Sequence, residues 1–196
     1  PTAMTTWPKA TPIFDSGFFA DAVTGPTPLG ILKESGRQTL EQVGDMQFLD
    51  MVLGNRGGAF GEVCTAALLL GAIYLIARKV IDIATPLSIL LTVFIFTGIC
   101  HLVDPTQYIA PWYHLVYGGL LLGAFFMATD MVTPPMTIRG KILFGFGIGF
   151  ITVVIRLWGA YPEGVSFAIL IMNAFTPLIN KAFKPKVFGV VKPSKN

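Results

Sequence analysis

Charge is what this chain has least of. Asp, Glu, Lys and Arg make up 13% of its 196 residues against 53% hydrophobic, and the mean hydropathy is +0.67. A soluble globular chain carries about 25% charged residues, so the supply here is roughly half of what a water-facing surface needs. Disorder and coiled coil are excluded with it. Cysteine is scarce as well. Cys64 and Cys100 sit in apolar stretches with no C-x-x-C, which excludes a disulfide scaffold and a four-thiolate cluster. Both read as small buried hydrophobes. The pI is near 9.0, yet the Lys and Arg residues form no patch beside stacking aromatics, which argues against nucleic acid. No glycine-rich turn follows a strand, so no dinucleotide is expected to bind. No metal-ligand set is expected either. An integral membrane protein remains, with the lipid bilayer as its first partner.

The long apolar runs begin only after residue 61. Residues 1–61 mix Lys9, Lys33, Arg37 and Arg56 with Asp15, Asp21, Glu34, Glu41, Asp45 and Asp50, and Pro and Gly interrupt them repeatedly. They read as an extramembrane loop segment with one short amphipathic helix near 40–52. Residues 62–181 read as an all-α transmembrane bundle and 182–196 as a basic tail. A bilayer core takes about 20 apolar residues, so about five spans are expected, at 63–77, 83–103, 111–129, 142–160 and 164–180. Arg78, Lys79, Arg139, Lys141, Lys181, Lys184, Lys186, Lys192 and Lys195 then fall on one side of an alternating bundle. The loops 104–110 and 161–163 hold no Lys or Arg. The positive-inside rule puts the C-terminus in the cytoplasm and residues 1–61 outside. The start at Pro1, without an initiator methionine or signal peptide, is what a fragment or the later part of a longer protein would show.

Two features are packing signals. Gly119 with Gly123, and Gly145 with Gly149 around Gly147, have the small-residue spacing that lets helix backbones approach closely. Tyr108, Trp112, Tyr113, Trp158 and Tyr161 cluster at the expected outer interface as an aromatic belt.

The segment Asp21-Ala22-Val23-Thr24-Gly25-Pro26-Thr27-Pro28-Leu29 is a different kind of signal. Gly25 between prolines and hydroxyl residues requires a tight turn, which can hold the Thr27 hydroxyl exposed at its edge. Turn chemistry alone favours an ordinary Pro-Gly loop over a hydroxyl that is modified. The D-x-x-T-G-x-T pattern resembles the flavinylation motif of the membrane subunits RnfD and NqrB. Three further stretches resemble that family, in order: Gly61-Glu62 entering the first span, Ala128-Thr129-Asp130-Met131-Val132-Thr133-Pro134-Pro135, and Tyr161-Pro162-Glu163-Gly164-Val165 with Met172-Asn173-Ala174-Phe175-Thr176-Pro177-Leu178. The last stretch places the chain nearer to RnfD, over the C-terminal half of a family member. Pro26 stands where the family has Ala, and Asn180 where relatives carry Asp.

The resemblance implies a subunit of an ion-translocating (Na⁺ or H⁺) ferredoxin:NAD oxidoreductase in a prokaryotic cytoplasmic membrane, active only within its complex. FMN would be joined to Thr27 by a phosphoester, with Asp21, Thr24 and Gly25 forming the turn that a flavin transferase reads. Other membrane and peripheral Rnf subunits are the implied partners, and a second, noncovalent flavin such as riboflavin is compatible with the family. Two alternatives stay open: an NqrB-like subunit of a Na⁺-translocating NADH:quinone oxidoreductase, and a flavin-free transport or scaffold subunit.

Among the remaining polar residues, Glu62 enters the first span, where an acid is costly unless paired or hydrated. It is a candidate for the surroundings of the flavin or of an ion, against a capping role. Arg156 near the outer end of the fourth span is a candidate to neutralise the flavin phosphate, or to pair with Glu163 or Glu62. Asp130 and Glu163 read as caps, and His101 and His114 as interfacial residues in preference to a metal or haem pair.

Overall fold

The computed structural model describes residue 52 and residues 61–62, 64–105, 108–161 and 163–184. The loop segment, its expected helix (Val52 apart, which is helical) and the basic tail beyond 184 lie outside the described residues. Every regular element described is helical. They are α1 (Thr65–Ala77), α2 (Ala84–Val103), α3 (Pro111–Val116), α4 (Leu120–Leu122) continuing as a π-helical stretch (Gly123–Met127), α5 (Ile138–Trp158) and α6 (Val165–Ala182). α2, α5 and α6 are long and apolar enough to cross a membrane, while α1 is a shorter apolar helix. Large apolar side chains such as Leu70, Ile73, Leu91, Ile95 and Leu170 point outward. In water that would be prohibitive, and in lipid it is the expected surface. The protein is a polytopic helical membrane protein.

Local chemistry explains the helix ends. α1 stops at Lys79, which takes the left-handed conformation (φ 54°), while its N–H bonds Ile76 O at 2.9 Å and that of Val80 bonds Leu75 O at 3.0 Å. α2 carries Pro86 in its first turn, where a missing N–H costs nothing. α5 starts four residues before the expected 142, because the Thr137 hydroxyl accepts the Gly140 N–H at 3.2 Å and caps a turn that contains Arg139 and Lys141. Hydropathy alone stops at those charges; the cap carries the helix past them.

The third expected span is not one helix. α3 ends at Tyr117, whose ψ of 140° is extended, Gly118 turns left-handed at φ 75°, and the helix resumes after Gly119. The Ala128 N–H then reaches back to Gly123 O at 2.8 Å, the five-residue step of a π-helix. In the following loop, the Met136 N–H donates to Asn180 Oδ1 at 3.2 Å.

The core lies between α2, α5 and α6. α2 and α5 make the most extensive contact, and Gly145 and Gly149 are the reason. A β-carbon on Gly145 would come within 2.8 Å of Thr85 O, and one on Gly149 within 2.9 Å of Ile89 O. Ser88 Oγ crosses the same gap to Ile142 O at 2.8 Å. With apolar solvent on the outside, close backbone packing of this kind holds spans together. Ile89, Val93, Phe144, Ile148 and Val153 fill the space around it.

The alternation of helices places the charges. Lys141 pairs with Asp82 at the end of the bundle where α1 stops and α2 and α5 begin. Arg156, near the end of α5, and Glu62 and Glu163, ahead of α1 and α6, belong to the opposite end.

Candidate functional site

A break inside a span exposes carbonyls that have lost their helical partners, and in lipid each costs several kcal/mol unless something donates to it. Arg156 does so here. Its Nη1 donates to His114 O at 2.6 Å and its Nη2 to Tyr117 O at 3.2 Å, so a guanidinium from α5 caps the last turn of α3. A cation at the negative end of a half-helix is also electrostatically favoured. On the other side of the break, the Gly119 N–H donates to Glu163 Oε1 at 2.8 Å. Glu163 is therefore a cap, as expected, but for the resumed third span and not for its own helix.

Glu62 completes the arrangement. It is 7% exposed, Arg156 is 6% and His114 is 2%. A β-carbon on Gly119 would lie 2.7 Å from Glu62 Oε2 and 3.2 Å from Glu163 Oε2, so both carboxylates reach the space a side chain there would need. Glu163 first and Glu62 second are the acids whose charge acts on Arg156. His114 Nδ1 and Arg156 Nε are buried at the break without hydrogen-bond partners.

The residues singled out in the sequence divide accordingly. Glu62 and Arg156 come together at one place, with Glu163. Asp21, Thr24, Gly25 and Thr27 lie outside the described residues. His114 is buried, on α3 next to the break. His101 stays apart, its Nδ1 at 2.7 Å from Tyr108 O. Asp130 Oδ1 accepts the N–H of the next residue, Met131, at 2.7 Å. Sequence reasoning missed the break itself. The Gly118-Gly119 pair behind Pro111 was its signal, since a span interrupted by Gly and Pro is the best pointer to a midspan site.

At the opposite end, a cleft of about 350 Å³ lies between Asp82, Thr85, Asp130, Pro134, Met136 and Lys141. Of its Asp82–Lys141 pair, the carboxylate is largely exposed and the lysine side chain half-buried. The buried cluster at the break is the stronger candidate, because ionisable groups enclosed in a membrane bundle mark function more often than exposed pairs do.

The model of the NQR2, RnfD, RnfE family matches residues 1–189. The chain belongs to that family. Among its relatives in the family is the D subunit of the proton-translocating ferredoxin:NAD(+) oxidoreductase complex of Clostridium ljungdahlii, 49% identical over 192 residues, which cover 96% of this chain and 56% of the relative. The D subunit of the Na(+)-translocating ferredoxin:NAD(+) oxidoreductase complex of Acetobacterium woodii is 43% identical over 177 residues, 89% of this chain and 52% of the relative. The D subunit of the ion-translocating oxidoreductase complex of Stutzerimonas stutzeri is 38% identical over 210 residues, 96% of this chain and 59% of the relative. The chain thus spans between half and three-fifths of these family members.

Proposed function

We propose that this chain acts as the D-type membrane subunit of an Rnf-like ion-translocating ferredoxin:NAD oxidoreductase and relays electrons within it. The observation that carries the reading is the Asp21–Thr27 motif in a chain 49% identical to the Clostridium ljungdahlii relative. FMN held by a phosphoester on Thr27 would supply one-electron chemistry, and the tether would keep it from being lost to the medium. Asp21, Thr24 and Gly25 would shape the turn presented to a flavin transferase. Positive charge after α1, in the first turn of α5 and from the last turn of α6 onward supports a cytoplasmic C-terminus and an extracytoplasmic Thr27 in a prokaryotic inner membrane.

Arg156 is not assigned to the flavin phosphate. Arg156 directs both Nη nitrogens to backbone carbonyls, and the groups beside it are carboxylates that would repel a phosphate. Anchoring is therefore assigned to Thr27 alone.

The test is intact mass of the denatured chain, with in-gel flavin fluorescence, from a host that supplies the transferase. Wild type should carry the mass of one FMN and Thr27→Ala none. An unmodified wild-type chain would remove the relay role and leave a flavin-free subunit.

A further inference from the structure

The cleft at the basic end of the bundle is used neither by the flavin reading nor by helix packing. It lies where three segments meet: the α1–α2 connection, the loop after the π-helical stretch and the first turn of α5. Its volume of about 350 Å³ is within the range of small-molecule sites. Asp82 and Thr85 stand at the start of α2 and Lys141 in the first turn of α5, so the cleft lies where spans give way to headgroups. Charged and apolar groups share its lining. Lys141 pairs with Asp82, but that carboxylate is largely exposed, so water screens the pair and it contributes little by itself. An ammonium has three donors, so Lys141 can hold Asp82 and a second anionic oxygen together. Asp130 is placed differently. Its Oδ1 accepts the N–H of Met131 at 2.7 Å, and among the described residues no cation pairs with it. The same loop carries Met131, Val132 and Met136, which are 81%, 86% and 75% exposed. Large apolar side chains left in the open beside charges mark a surface that meets lipid or a partner.

We infer that the cleft binds the headgroup of a phospholipid with a primary ammonium beside its phosphodiester, of the phosphatidylethanolamine type. The ammonium goes to Asp130 and the phosphodiester to Lys141, both as charge-assisted hydrogen bonds. The acyl chains run past the exposed Met131, Val132 and Met136. A free cation or a free phosphate would use one of these three features, whereas this amphiphile uses all of them. Basic pockets between membrane helices are general headgroup sites, and the Asp130 carboxylate turns this one from an anionic lipid towards a zwitterionic one. Phosphatidylglycerol has no cation for Asp130, and the quaternary ammonium of phosphatidylcholine has no N–H to donate. A lipid so held would tie the α1–α2 connection to the loop ahead of α5. The site goes beyond the function proposed above and does not depend on it.

Native mass spectrometry of the assembled complex tests this. The complex is delipidated in detergent, then titrated with phosphatidylethanolamine, phosphatidylcholine or phosphatidylglycerol of identical acyl chains. Wild type should take up one phosphatidylethanolamine about tenfold more tightly than either other lipid, the scale of one charge-assisted hydrogen bond. Asp130→Asn should abolish that preference. Asp130→Glu, which keeps the acid, should retain it, and it serves if the amide variant fails to assemble. Lys141→Gln should weaken all three lipids together, because all carry the phosphodiester. Phosphoethanolamine, the same headgroup without acyl chains, should fail to displace the lipid at equal concentration. Displacement would make the cleft a site for a soluble zwitterion and overturn the lipid assignment. Equal uptake of the three lipids by wild type, or a preference untouched by Asp130→Asn, would overturn the site itself. Thr27→Ala should leave the preference in place, so the flavin and the lipid site can fail separately.

Discussion

Arg156 shows how much one side chain can decide in lipid. It sits two residues before the end of α5, yet its hydrogen bonds go to α3 and the start of the break. Removing it leaves buried carbonyls without a donor and two acids without their neighbouring cation. Arg156→Gln should cost on the order of 2–4 kcal/mol, as expected for lost charged hydrogen bonds. Arg156→Lys should recover only part, because an ammonium cannot span two carbonyls as a planar fork does. Thermal unfolding of the purified protein in detergent, followed by loss of the monodisperse peak, should rank the stability wild type > Lys > Gln. Equal stability of all three would show that water caps the break.

At the scale of elements, the same residue type does opposite things. Gly149 is a contact residue: a β-carbon there meets Thr92 Cβ at 2.8 Å and Ile89 O at 2.9 Å, and backbone cannot move aside cheaply. Gly98, on α2, has nothing within 4 Å of the corresponding position. Gly149→Ala should therefore destabilise the α2–α5 crossing by about 1–3 kcal/mol, while Gly98→Ala should be neutral or slightly stabilising. Comparing the two apparent melting temperatures checks the assignment, and a Gly98→Ala penalty as large as that of Gly149→Ala would contradict it. Both glycines of the Gly145/Gly149 motif behave as their spacing suggests. Gly119 does not: it has helix-packing spacing to Gly123, but its missing side chain makes room for Glu62 and Glu163. Spacing could not tell these cases apart, because it records only which residues share a helix face, and at Gly119 the helix is interrupted.

For the whole molecule, alternating helices sort the charge into two unlike ends. One end is open and basic, with exposed Met131 in its α4–α5 loop. The other encloses Glu62, Arg156 and Glu163, with exposed Tyr161 beside them. The orientation proposed from the positive-inside rule has the first end cytoplasmic. Single cysteines at Met131→Cys and Tyr161→Cys, with Cys64 and Cys100 replaced by serine, should report this in intact cells. A membrane-impermeant maleimide should label position 161 and reach position 131 only after permeabilisation. The reverse pattern would invert the orientation and put Thr27 in the cytoplasm.

The membrane class, the helical fold and the family follow from the sequence alone, because each depends on properties that sum or match along the chain. Too little charge for a water-facing surface, apolar runs of span length and four ordered motifs suffice. Helix ends such as Thr137 were legible only in part, since a cap competes with hydropathy through one hydrogen bond. The break at Tyr117–Gly119 and the cluster around it were decided by tertiary structure. Glu62, Arg156 and Glu163 are far apart in sequence, and each taken singly reads as an ordinary charge near the end of a span. Only the packing of α3, α5 and the segments ahead of α1 and α6 brings them to the same break. There Arg156 donates to carbonyls, and Glu163 accepts an N–H, at the interruption of the helical hydrogen-bond ladder.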